Sequence, residues 1–302
     1  MKPRVSLPYF DILLGEIANG KRDIATAFGR HVHWGYWDDA HPADGTMENF
    51  ALAADRMSQR VWQAGGAASG QRILDVGCGF GGTIATIDEK LDDVDLVGLN
   101  IDPRQLERAR EQVKPRGRNR IEFVEGDACA MPFPDASFDV VLAVECAFHF
   151  PSRAKFFSEV RRVLKPGGRL ALCDIVPSER GKYLLPLQAM FFQGYSERLG
   201  GKLDLTHTVA KYRALAEATG FDVLVEEDVT KNSLPTYRVL RHVIRETGKF
   251  VRTALWGTGA MEVFSRANVM NYVVLSFVLR GAERAKMRDG STRAVTEAVA
   301  GE

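Results

Sequence analysis

Asp75, Gly77, Gly79, Gly81 and Gly82 fall within eight residues, in DVGCGFGG at 75–82. An acid followed by closely spaced glycines is suited to hold a small ligand against bare backbone. Glycine takes positive φ without strain and leaves room where a Cβ would stand. The apolar pair Ile73-Leu74 before the motif predicts a strand, and the segment from Thr83 to Lys90 after it has helical spacing. A helix starting there offers unpaired N–H groups and the positive end of its dipole. Asp75 can receive an ammonium group, directly or through backbone and water. A ligand that carries both an amine and a carboxylate fits that polarity.

Two ligands compete for these glycines. The amino-acid end of S-adenosylmethionine has the required amine and carboxylate. Gly77, Gly79 and Gly82 also satisfy the dinucleotide fingerprint GxGxxG. That fingerprint expects an acid at the end of the second strand, about twenty residues on, for a ribose hydroxyl. The second predicted strand, DLVGLN, ends in Asn100, with Asp102 two residues later. NAD therefore lacks its usual anchor, and Asp75 is an acid it does not need. S-adenosylmethionine is the better reading.

The elements that must position this motif alternate between strand and helix, which predicts a parallel α/β sheet. Strands are predicted at Arg72 to Val76, Asp95 to Asn100, Ile121 to Glu125, Phe138 to Glu145 and Arg169 to Val176. A helix from Pro103 to about Val113 starts on proline, as helices prefer. Another, Arg153 to Leu164, stops at Lys165-Pro166-Gly167-Gly168. The alternation then breaks. A helix from about His207 to Thr219 precedes strands at Phe221 to Val229 and Tyr272 to Leu279. The expectation is a doubly wound, seven-stranded, mostly parallel sheet with helical insertions at 178–206 and 233–269. Residues 1–68 are expected to form a helical lid segment, 69–280 the core, and 281–302 a flexible tail.

A chain of 302 residues can bury a full α/β core. Its net charge of +1 gives no reason to expect nucleic acid or an anionic membrane as partner. The four cysteines, Cys78, Cys129, Cys146 and Cys173, are scattered without a CxxC pair, which fits buried thiols in a reducing cytoplasm. Asp11 and Glu16 interrupt any signal-peptide core.

Taken in order, five segments resemble the class I S-adenosylmethionine-dependent methyltransferases. They are DVGCGFGG at 75–82, GLNIDPRQLERAR at 98–110, GDACAMPFPDASFDVV at 126–141, ECAFHF at 145–150 and RRVLKPGGRLALCDIV at 161–176. Within the class, HVHWGYWDD at 31–39 and ECAFHF are similar to the small-molecule branch, which includes sugar and macrolide O-methyltransferases. The resemblance implies a Rossmann-like sheet whose seventh strand is antiparallel and lies between the fifth and sixth. It implies that Gly77, Gly79 and Gly81 line the methionine moiety and that Asp75 helps hold its amine. Asn100 stands where many members carry an acid for the ribose. Gln105 matches a glutamine that shares the task in cyclopropane-type enzymes, so Asn100 and Gln105 are expected to hold the ribose. Ile101 is expected to pack on adenine, with Asp127 accepting from its exocyclic amine beside Ala128.

Methyl transfer from a sulfonium is an in-line displacement, and alignment can supply roughly 7–11 kcal/mol of the barrier. A hydroxyl nucleophile also needs its proton removed, and histidine is the usual base near neutral pH. His149 lies just past the fourth strand, where open α/β sheets place their ligand crevice. The matching segment of sugar O-methyltransferases carries a histidine base, often one of two in a row; here Phe148 precedes His149. Asp174 matches an acid that supports the base. Glu145 either binds substrate, orients His149 or is a buried acid paired with backbone.

His31, His33 and His41 lack metal-site spacing, so no metal is expected. Trp34, Tyr36 and Trp37 are read as a lid over the cofactor, with Tyr36 and Trp37 contacting it; a structural aromatic staple explains them as well. The apolar run from Tyr183 to Leu199 suits a substrate pocket or a homodimer surface equally.

The sequence thus points to a cytoplasmic methyltransferase acting on a hydroxyl of a natural product or sugar-bearing metabolite. Carbon or nitrogen methylation is the alternative within that chemistry. A non-catalytic cofactor-binding subunit and a nicotinamide oxidoreductase are the alternatives outside it.

Overall fold

The computed structural model describes residues 7–184, 203–248 and 250–281. Helices α1 (Pro8–Ala18), α2 (Arg22–Phe28) and α3 (Met47–Ala64) precede β1 (Arg72–Val76). Then come α4 (Gly82–Asp88), β2 (Asp95–Asn100), α5 (Pro103–Gln112), β3 (Arg120–Glu125), β4 (Phe138–Val144), α6 (Arg153–Val163) and β5 (Leu164–Pro177). The later part holds α7 (Val209–Ala218), β6 (Phe221–Asp228), the short α8 (Thr230–Ser233), α9 (Thr236–Thr247), α10 (Val251–Arg266) and β7 (Met270–Leu279).

The seven strands form one sheet in the order β3-β2-β1-β4-β5-β7-β6. β7 runs antiparallel to both of its neighbours, and the pairs among β1 to β5 are parallel. This is the topology that the sequence motifs imply. β5 begins at Leu164 and not at Arg169. Leu164 pairs with Phe138, residues 165–168 bulge out, and pairing resumes at Val140↔Arg169.

Strand periodicity divides the core into two layers. On β5, Ala171, Cys173 and Ile175 face a layer built with α3, α4, α5 and α9. Leu170, Leu172 and Val176 face the other, built with α6 and α7. Burying each such leucine, valine or isoleucine contributes about 1.5–3 kcal/mol. A third cluster joins Leu13, Ile24, Phe28, Trp37 and Phe50 of the N-terminal part to Val239 and Val243 of α9. The N-terminal helices therefore pack against the helical insertion between β6 and β7.

No helix among the described residues is long and apolar enough to cross a membrane. Tyr183 and Leu184 are exposed; most of the apolar run behind them, and the expected tail at 282–302, lie outside the described residues.

Candidate active site

Two cavities open beside each other at the carboxyl ends of the central strands. The first is lined by the end of β1 and the glycine turn, by the ends of β2 and β4, and by the loop after β3. Asp75 is buried there, and neither of its carboxylate oxygens has a partner among the described residues. Burial pushes its carboxyl up to about 8.

The glycines of the turn do different work. Gly79 has φ +55°, and a Cβ built there meets nothing within 4 Å, so its face stays open in the cavity wall. Gly77 also lines the cavity. Gly81 is not among the lining residues, although its neighbours Phe80 and Gly82 are. It has φ +80° at the start of α4, and a Cβ there would press on Phe123 and Val113, each 3.1 Å away. Its glycine is required by backbone conformation and by the close approach of α5 and β3.

The other expected cofactor residues, Asn100, Ile101, Gln105, Asp127 and Ala128, line the same cavity. Asn100 Nδ2 donates to Gln105 Oε1 at 3.0 Å, and Gln105 Nε2 is buried without a partner among the described residues. Ile101 is exposed in the cavity wall. Asp127 Oδ1 accepts from Cys129 N at 2.8 Å in a tight turn. Asp102 instead caps α5, accepting from Arg104 N at 3.0 Å. An unpartnered buried carboxyl, an unsatisfied amide N–H₂ and an open glycine face suit a ligand that has an ammonium group and hydroxyls.

Tyr36 and Trp37, expected to contact the cofactor, line neither cavity. The Tyr36 ring receives the Arg60 guanidinium at 4.7 Å. Trp37 Nε1 donates to Asn49 Oδ1 at 2.7 Å, and its ring is buried with Phe50. Both staple the N-terminal segment to α3, as the alternative reading has it. Trp34 alone of the three aromatics reaches the site, where it stacks on Tyr272 at 5.4 Å and lines the second cavity.

Tyr9, Val32, His33, Glu145 and His149 line both cavities and form the wall between them. His149 stands at the end of a single 3₁₀ turn, Ala147–His149, with Nε2 3.2 Å from the Tyr9 hydroxyl and the two rings stacked. Glu145 directly follows β4 at φ +51°, a costly conformation for a side chain with a Cβ and one that clusters at functional sites. Its Oε2 accepts from Trp34 N at 2.8 Å and from the Tyr272 hydroxyl at 2.5 Å. Burial pushes this carboxyl up to about 8.

Asp174 does not join this wall. By strand alternation it faces α6 and α7, where it is fully buried. Arg153 lies 3.1 Å away, the Tyr212 hydroxyl donates to the same oxygen, and Ile175 N donates to the other. It is the partner of a buried guanidinium, and this corrects its expected role in supporting His149.

The histidines pair off without a common centre. His31 Nε2 is 2.7 Å from Asp55, and His31 Nδ1 is 2.9 Å from His33 Nε2. The other His33 nitrogen faces the Trp34 carbonyl at 3.0 Å, and burial lowers this imidazole to about 3. His41 pairs with Asp38 at the surface. Sequence reasoning missed Tyr9, His33 and Tyr272. Tyr9 lies in no motif, and Tyr272 reads only as the first residue of an apolar strand; the alternation His31-Val32-His33-Trp34 was the one available signal.

The family profile described as a methyltransferase domain matches residues 74–172. The 27-O-demethylrifamycin SV methyltransferase of Amycolatopsis mediterranei is 32% identical over 267 residues, which are 82% of this chain and 90% of that protein. A sterol 24-C-methyltransferase of Eremothecium gossypii is 32% identical over 72% of this chain and 60% of that protein. Among solved structures, the mycolic acid cyclopropane synthase CmaA1, complexed with SAH and CTAB, superposes with a TM-score of 0.73 at 16% identity, covering 90% of this chain and 99% of that one. With the fold, the glycine turn and these relatives in agreement, the chain belongs to the class I S-adenosylmethionine-dependent methyltransferases that act on small molecules, and S-adenosylmethionine is its cofactor.

Proposed function

We propose that the chain methylates a hydroxyl oxygen of a natural product, with His149 as general base. One observation carries this reading: His149 and Glu145 stand in the wall shared by the two cavities. The first cavity is then the cofactor site and the second the acceptor site. The likeness to the 27-O-demethylrifamycin SV methyltransferase supports oxygen as the acceptor atom.

When bound, S-adenosylmethionine supplies a methyl carbon on a positively charged sulfur. The chain holds the acceptor hydroxyl in line with that carbon and removes its proton. The imidazole of His149 takes the proton as the new O–C bond forms and the C–S bond breaks. Tyr9 orients the imidazole, and α1, which brings Tyr9, acts as the lid over both cavities. Asp75 receives the cofactor's ammonium group, Asn100 and Gln105 its ribose, and Asp127 its adenine amine.

Asp75 makes the assignment testable by pH. Its carboxyl is held near 8 in the free protein, so it is mostly protonated at pH 6.5. Ammonium binding favours the carboxylate, so binding should release about one proton per site. Cofactor affinity should rise with pH towards about 8 and fall again where the cofactor's own ammonium group loses its proton. The raised value also means that the stability this group contributes is full below the usual carboxylate range and is lost as pH rises through about 8. Calorimetric titrations in buffers of different ionisation enthalpy measure the proton count. Asp75→Asn should abolish the release; an unchanged count would place the ammonium elsewhere.

Carbon is the second reading, favoured by the likeness to a sterol 24-C-methyltransferase. The methylated product of a multi-acceptor screen decides between them. A methyl carbon with the chemical shift of a methyl ether supports oxygen, and one bonded to carbon overturns it.

A further inference from the structure

The walls of the second cavity are sorted by polarity. Tyr9, His33, Glu145 and His149 stand at the end shared with the cofactor cavity. Away from that end, α9 and α10 supply the lining: Leu240, Val243 and Ile244 from the one, Ala254, Thr258 and Met261 from the other. Among the described residues the lining includes no lysine and no arginine, and its only carboxylate is Glu145. An anion buried there would lose its water with no cation in exchange. Apolar groups would instead replace poorly held water. The space, about 220 Å³, is larger than the ~150 Å³ apolar cavity known to admit benzene, so a two-ring body fits.

From this sorting we infer that the acceptor has an uncharged, apolar body seated against α9 and α10, with its reacting polar group turned to His149 and Glu145, and that anionic molecules are rejected. Leu240 and Met261 are then specificity residues. The inference rests on the assignment of this cavity to the acceptor, but not on oxygen being the methylated atom.

Two probes of the same shape test it. Protein saturated with S-adenosylhomocysteine is titrated calorimetrically with 1-naphthol and with 1-naphthyl phosphate. The naphthol should bind at least about tenfold more tightly than its phosphate ester. Leu240→Trp and Met261→Trp, which fill the cavity from different helices, should each weaken naphthol binding by about tenfold while S-adenosylhomocysteine affinity holds. Leu240→Arg should narrow or invert the preference between the two probes. Failure of naphthol to bind, equal binding of the phosphate, or indifference to both tryptophan variants would overturn the inference. So would loss of S-adenosylhomocysteine affinity in both variants, because the cavity would then belong to the cofactor. Methyl found on carbon would overturn the oxygen reading alone and leave these affinities as support for the acceptor class.

Discussion

His149→Ala is expected to lower turnover on a hydroxyl acceptor by roughly 10²–10⁴-fold, the usual contribution of a positioned general base. Cofactor affinity should stay within about a factor of two, because a base that acts only on the acceptor proton adds nothing to binding of the cofactor. The geometry supports this division. His149 stands in the wall between the cavities, while Asp75 and Gln105 line the first cavity and not the second. An acceptor that arrives already deprotonated should recover much of the lost rate. Tyr9→Phe should have a smaller effect in the same direction, since it removes a hydroxyl 3.2 Å from Nε2 but leaves the ring that stacks on the imidazole. Steady-state rates and calorimetric affinities on the same preparations separate these effects. Near-normal turnover of His149→Ala would remove the residue from the mechanism, and alignment would carry the reaction with Glu145 next to be tested.

For Asp174 the expected loss is of folding, not of chemistry. Its carboxylate is the buried partner of Arg153, whose side chain is 1% exposed. Asp174→Ala removes the fully buried counter-ion and leaves Arg153 only the partly exposed Asp204, so the cost approaches from below the loss of about 3–5 kcal/mol for a broken buried pair. This is a large share of the roughly 5–15 kcal/mol by which a domain is stable. The same guanidinium holds Asp204 at 2.9 Å and so anchors the segment that brings Leu203 and Leu205 to the second cavity. Denaturant unfolding should therefore show a lower midpoint for Asp174→Ala, with KM for the acceptor rising more than kcat falls in the folded fraction. A variant that kept full stability but lost turnover by the amount expected for His149 would restore Asp174 to the catalytic group.

These two acids show where the sequence was legible. Asp174 and Glu145 lie in or just past the carboxyl-terminal parts of apolar strands, and the sequence allows Asp174 as support for the base and Glu145 as substrate ligand, partner of His149 or buried acid. The strands themselves are legible, apart from shifts at their ends such as the start of β5 at Leu164, because apolar runs mark strands locally. What the run does not carry is the face to which each end residue turns relative to a partner strand. Glu145 turns to Trp34 and Tyr272, distant in sequence, and Asp174 turns to Arg153 and Tyr212. The aromatic segment at 34–37 was ambiguous for the same reason: α3 claims Tyr36 and Trp37, and only Trp34 is left to the site.

The sequence by itself determined the strands of the sheet, the glycine turn and the cofactor, since each rests on residues close together in the chain and on backbone conformations that few residue types allow; the antiparallel last strand followed from the family resemblance. The tertiary structure alone decided that α1, α9 and α10 wall a second, mostly apolar cavity, that Tyr9 meets His149 across 140 positions of chain, and that Asp174 holds an arginine. Such contacts arise where separate elements pack, and packing depends on all the surfaces at once, which no single segment of sequence records.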